Sequence, residues 1–79
     1  MKQNFLSEIK ENQNCIIDFV NCRESLKARL TDMGFIPQTK VKCVNIAMGG
    51  TPLALDIRGS IIALRKSDCK DIGIKNIKS

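Results

Sequence analysis

The chain has 79 residues, 43% hydrophobic and 27% charged, with thirteen Lys and Arg, eight Asp and Glu, and no histidine, tryptophan or tyrosine. A chain this short buries only about 60–65% of its unfolded surface, so a second domain, a doubly wound nucleotide-binding fold and a β/α barrel are excluded on size. Lack of histidine removes the commonest general base near neutral pH and the commonest zinc ligand, and the net charge of +5 describes a small basic binder better than a catalyst.

One domain is expected over residues 1–79. The first eight residues lack the apolar stretch of about 7–15 residues that a secretory signal requires. The longest apolar runs, such as Ile61-Ile62-Ala63-Leu64, fall far below the ~18 residues of a membrane span. A cytoplasmic protein without direct membrane insertion is expected. Cys15, Cys22, Cys43 and Cys69 then read as reduced thiols, and no Cys-x-x-Cys pair supplies a zinc or redox clamp. Small buried hydrophobes are their ordinary role.

In chain order, Phe5, Leu6 and Ile9 are compatible with a short amphipathic turn docked on the domain. Cys15-Ile16-Ile17-Asp18-Phe19-Val20 is rich in β-branched residues and reads as a strand. Asn21, followed three residues later by Glu24, has the spacing of a capping box. Leu26, Leu30 and Met33 then recur at i, i+4 and i+7, predicting a helix over 22–33 whose polar arc carries Lys27, Arg29 and Asp32. Gly34 stands at the left-handed C′ position, Phe35 supplies the accompanying hydrophobic contact, and Pro37 prevents resumption.

From Thr39 the period becomes two. Val41 and Cys43 alternate with Lys40 and Lys42, and the apolar phase then slips to Val44, Ile46 and Met48. Such a slip predicts a bulge or sharp bend. A loop follows at Met48-Gly49-Gly50-Thr51-Pro52, then a β-hairpin over 53–64 turning at Gly59-Ser60. Residues 66–71 read as a polar corner, and Ile72, Ile74 and Ile77 as a last short strand. The chain is thus mainly β, with one short helix between strands 1 and 2. About five strands of this length are best closed as a small, strongly bent antiparallel barrel.

Catalysis has little support. Glu8, Glu11, Asp18, Glu24, Asp32, Asp56, Asp68 and Asp71 are scattered and read as solvating or capping groups. Gly49-Gly50-Thr51 lacks the Lys and the following helix of a phosphate loop. Lys40, Lys42, Arg58, Arg65, Lys66, Lys70, Lys75 and Lys78 crowd the second half, which raises a basic nucleic-acid-binding barrel as the alternative function. The three aromatics, Phe5, Phe19 and Phe35, each have a packing role, so stacking platforms are missing and no nucleic-acid partner is expected. Direct metal sensing would need at least three cysteines from separate elements to converge. No catalytic, metal or cofactor-binding residue is assigned. Candidate partner contacts are Arg29, Leu30, Met33 and Met48, around a cleft between helix and hairpin, although core packing explains Leu30 equally well.

Leu26-Lys27-Ala28-Arg29-Leu30-Thr31-Asp32-Met33-Gly34-Phe35-Ile36-Pro37 resembles the helix-and-turn signature of the FeoA family, small accessory proteins of bacterial ferrous iron transport. That signature runs roughly Arg-Leu-x-x-Met-Gly-Leu-x-Pro-Gly, followed by a strand, a Gly-Asp-Pro-like loop and a hairpin ending in Ala-Leu-Arg. The counterparts here are Val41 to Ile46, Gly50-Thr51-Pro52, Gly59 and Ala63-Leu64-Arg65. Gln38 replaces the usual Gly after Pro37, Thr51 the usual Asp, and Asn12 and Cys15 glycines near the first strand. The resemblance covers roughly residues 5–77. It implies an SH3-like β-barrel, no catalytic residues, and a regulatory partnership with FeoB, the membrane ferrous iron transporter with a cytosolic G-protein domain. A barrel with one open edge is also able to self-associate weakly.

Overall fold

The computed structural model describes residues 3–76. Its strands are β1 (Asn4–Phe5), β2 (Asn14–Val20), β3 (Lys40–Ile46), β4 (Leu53–Ile57), β5 (Ser60–Leu64) and β6 (Ile72–Asn76). Helix α1 (Glu24–Asp32) joins β2 to β3, a 3-10 turn (Leu6–Glu8) follows β1, and a four-residue helix α2 (Lys66–Cys69) precedes β6. One antiparallel sheet forms in the order β1-β6-β2-β3-β4-β5.

Alternation decides which face of the sheet is buried. Cys15 and Ile17 of β2, Val41 and Cys43 of β3, and Leu53, Leu55 and Ile57 of β4 point into one core. Leu26 and Leu30 of α1, with Leu6, Ile9, Phe35, Leu64, Cys69, Ile72 and Ile74, complete it. The phase slip in β3 is a register shift between Cys43 and Asn45, and a second shift in β2 lies between Ile17 and Phe19. Each bends the sheet around the core.

The C-terminus of α1 closes as a Schellman motif. Phe35 N–H donates to the Leu30 carbonyl at 2.9 Å and Gly34 N–H to that of Thr31 at 3.0 Å, with Gly34 at φ +100°. Its N-terminus departs from the expectation: the helix starts at Glu24, and Arg23 is the N-cap without a side-chain cap. Asn21 is used elsewhere, its N–H donating to the Asp71 carbonyl at 3.0 Å, so that residue is tied to the approach to β6.

Four further expectations change. The β4–β5 turn is Arg58-Gly59, because Ile57 pairs with Ser60 and both turn residues have positive φ, +53° and +85°. That is the I′ geometry, with Gly59 at the second turn position rather than the first. Residues 66–69 form α2 rather than an irregular corner, since Cys69 is drawn into the core. A sixth strand, β1, is too short for alternation to mark it; it pairs Asn4 with Ile74 and Phe5 with Gly73. Finally, the sheet is bent but not closed: among the described residues, β1 and β5 end it without pairing to each other. Ile77 and Lys78 lie outside the described residues.

Candidate functional site

Because Val41 and Cys43 face inward, Lys40 and Lys42 must face outward, and the same reasoning turns Asp56 of β4 outward between Leu55 and Ile57. Strand register lines up Asn14, Lys42 and Asp56 across β2, β3 and β4. Two segments wall this row. The β4–β5 turn brings Arg58. The descent from α1 brings Ile36, Pro37, Gln38 and Thr39. Together these residues line an open groove of about 630 Å³.

Backbone bonds fix the second wall. Gln38 N–H donates to the Ile17 carbonyl at 2.7 Å, and Ile17 N–H donates to that of Thr39 at 2.9 Å. Gln38 holds φ at +75° to make this turn, where the family signature has glycine. The two walls meet near Gly34, whose Cα faces the Ile57 and Arg58 side chains.

The groove carries three cations and one carboxylate. Asp56 Oδ1 accepts the Gly59 N–H at 3.2 Å and so braces the turn that presents Arg58. Among the described residues the ion pairs are Arg65–Asp68 at 3.3 Å and Lys75–Asp18 at 3.6 Å, neither involving a groove cation. Lys40, Lys42 and Arg58 are exposed. The one hydroxyl lining the groove, that of Thr39, belongs to a buried residue, and no thiol lines it. Such a surface can hold anionic groups; it offers no activated nucleophile.

The residues expected to contact a partner are dispersed. Arg29 is exposed, Met33 is half-buried against the core, and Leu30 is fully buried within it. Met48 is fully exposed at the tip of the β3–β4 loop, at the end of β4 opposite Arg58. Facing α2, the start of α1 lines a shallow depression with Cys22, Arg23 and Leu26. The groove was hidden in the sequence because its members come from three separate stretches of the chain, at 14, 36–42 and 56–58. The usable signals were the outward phase of Lys40, Lys42 and Asp56 and the non-glycine residue after Pro37.

All four cysteines are free thiols, with Cys15, Cys43 and Cys69 buried and Cys22 partly so. Burial pushes the Cys15 thiol up to about 11, aided by neighbouring Cys43, and Cys69 up to about 12, aided by Asp68 and Cys43. These thiols stay neutral in the fold. Among the described residues no group of three or more His, Cys, Asp or Glu side chains is arranged to hold a metal ion. Other carboxylates have structural duties: Glu8 accepts the Phe5 N–H at 3.0 Å and Glu11 the Ile46 N–H at 3.1 Å. Phe5 and Phe19 stack edge to face with centroids 6.1 Å apart, and Phe35 is wholly buried. No helix among the described residues is long and apolar enough to cross a membrane.

The family model for the FeoA domain matches residues 5–76. No curated protein sequence matches the chain significantly. Among solved structures, an FeoA-like protein from Clostridium acetobutylicum is 26% identical, with 100% of this chain and 92% of that one covered at a TM-score of 0.88. The zinc-complexed FeoA of Stenotrophomonas maltophilia, described as a prokaryotic SH3 domain protein, is 25% identical over 91% of this chain and 89% of that one, with a TM-score of 0.80. An FeoA protein from Chlorobium tepidum, 23% identical, superposes with a TM-score of 0.89 over 95% of this chain and 71% of that one. At that identity the last likeness speaks to the fold alone. The fold is SH3-like.

Proposed function

We propose a function from one premise: the chain belongs to the FeoA family, whose domain model spans residues 5–76. The family is associated with ferrous iron transport, and the Stenotrophomonas maltophilia relative has been put forward as a ferrous iron transport activating factor. By extension, this protein is a non-enzymatic accessory of ferrous iron uptake. It works in the cytoplasm by binding the cytosolic G-protein domain of a FeoB-like membrane transporter.

The family match carries this reading. The site chemistry supports it: a groove of exposed cations suited to binding, carboxylates engaged in capping and ion pairs, and thiols held neutral by burial. Exposed Arg29 and half-buried Met33, on the helix that leads into the groove wall, are offered as further contacts, with Met48 at the far loop. Leu30 supports that surface from beneath. A nucleic-acid role is disfavoured because no aromatic residue lines the groove and the three Phe residues are packed.

A pull-down tests the proposal. The immobilised cytosolic domain of the transporter, loaded with GDP or a GTP analogue, should retain the wild-type protein at low salt, and Arg29→Glu with Met33→Gln should weaken retention. No retention in either nucleotide state defeats the proposal. Leu30→Gln is unsuitable as a contact probe, because removing a core Leu costs about 2–5 kcal/mol of stability.

A further inference from the structure

We propose that the groove between Pro37-Gln38, Lys42 and Arg58 docks an extended acidic polypeptide segment, supplied by the transporter partner. This rests on the accessory reading above and specifies the surface and chemistry of the contact.

Charge complementarity is the first argument. Lys40 and Lys42 of β3 and Arg58 of the β4–β5 turn converge on one groove, and none has an ion-pair partner among the described residues. Clustered cations repel one another, so an incoming carboxylate relieves repulsion as well as forming new pairs. The groove's volume falls within the usual ligand-site range of about 300–1,000 Å³, and it lies open across the strands, which suits a chain passing over the surface. Half-buried Ile36 and exposed Pro37 add an apolar wall for a side chain beside the acidic residues.

Backbone conformation is the second argument. Three described non-glycine residues have positive φ, and two of them, Gln38 and Arg58, stand on opposite walls of this groove. Glycine would adopt either conformation more readily. Side chains persisting at unfavourable dihedrals on one surface mark a place where the side chain itself is used.

The lining separates a peptide from a single-stranded nucleic acid. Asp56, in the row with Lys42 and Asn14, can accept a peptide N–H, and its carboxylate keeps incoming anionic groups towards Lys40, Lys42 and Arg58. Bases would find no aromatic ring in the groove on which to stack.

The test has two arms. In the first, a fluorescein-labelled dodecapeptide, three repeats of Glu-Glu-Leu-Ser, is titrated by fluorescence anisotropy at about 50 mM salt. Wild type should bind, and Lys42→Glu with Arg58→Glu should weaken binding at least about ten-fold. Lys42→Gln with Arg58→Gln should fall between them, and Lys70→Glu on another face should change affinity less than about two-fold. Raising salt to about 0.5 M should abolish binding. Absence of binding, indifference to the groove substitutions, or equal affinity for a single-stranded dodecathymidylate overturns the proposal. Matching thermal melts keep a folding defect from passing as lost binding.

The second arm repeats the pull-down with the groove variants. Wild type and variants retained equally leave the accessory function standing and remove the groove from it. If wild type is not retained, the accessory reading itself falls. Retention of wild type with loss in Lys42→Glu/Arg58→Glu supports both.

Discussion

Phe19 lies across from Gly73 in the β2–β6 ladder, and its ring fills the space where a Cβ on residue 73 would stand; even the ring's Cδ2 would be 2.8 Å from that atom. The ring also meets Phe5 edge to face, so β1, β2 and β6 are joined through one aromatic contact that depends on a missing side chain. Gly73→Ala should destabilise the protein by about 1–3 kcal/mol through overpacking. For a chain of this size, each kcal/mol lowers Tm by roughly 4–8 °C. Adding Phe19→Leu should recover part of the loss. A double-mutant cycle by urea denaturation showing strict additivity would disprove the coupling.

The buried thiols impose an alkaline limit on stability. They ionise near 9.0 when unfolded, whereas in the fold burial holds Cys15 at about 11 and Cys69 at about 12. Above pH 9 the unfolded chain releases these protons and the folded one keeps them. Stability is therefore full below pH 9 and declines as pH rises towards 11–12, by roughly 1.4 kcal/mol per pH unit for each thiol. Urea midpoints at pH 8, 9.5 and 10.5 should fall accordingly, and Cys69→Ala should flatten the slope. Alkylation at pH 8 should label partly exposed Cys22 first, with the other three reacting only on unfolding.

Thr51 occupies the place of the usual Asp in the family loop, and its hydroxyl accepts the Lys66 N–H at 3.1 Å. Lys66 is the first residue of α2, so this bond satisfies a helix-end donor from 15 residues away. Thr51→Asp should preserve stability, because a carboxylate can accept the same bond and favours a helix N-terminus. Thr51→Val keeps the shape, loses the acceptor and should cost about 0.5–1 kcal/mol. Equal Tm values for Thr51→Val and wild type would show that the bond contributes nothing.

Elements whose signals are local were legible in the sequence. The stripe Leu26-Leu30-Met33 followed by Gly34 predicted α1 and its stop, because a Schellman motif is written within six residues. The slip from Cys43 to Val44 marked the bulge for the same reason. The start of α1 lies two residues beyond the one the Asn21–Glu24 pattern predicted, at Glu24 with Arg23 as N-cap, and the backbone bond from Asn21 to Asp71, fifty residues away, is one that no local pattern reports. β1 exists only because β6 is there to pair with it. Site residues follow the same division: Lys40 and Lys42 were visible as an outward phase, whereas their meeting with Gln38 and Arg58 depends on register. Leu30 was ambiguous between core and contact in the sequence, and the fold buries it completely.

Gln38 and Arg58 hold left-handed backbone at a cost in stability. A non-glycine residue at left-handed φ costs about 1–2 kcal/mol, partly offset by the greater unfolded-state entropy of the glycine that would relieve it. Gln38→Gly should therefore raise stability by about 0.5–1 kcal/mol, and so should Arg58→Asn, because Asn-Gly is the preferred I′ pair. Gly34→Ala is the converse, placing a Cβ at φ +100° and costing at least about 1 kcal/mol. If these side chains serve the groove, the two stabilised variants should bind the acidic peptide more weakly, with Arg58→Asn losing more because it removes a charge. Thermal melts and anisotropy on the same samples measure both effects. Stabilised variants with undiminished affinity would show that left-handed strain at these positions is unrelated to docking.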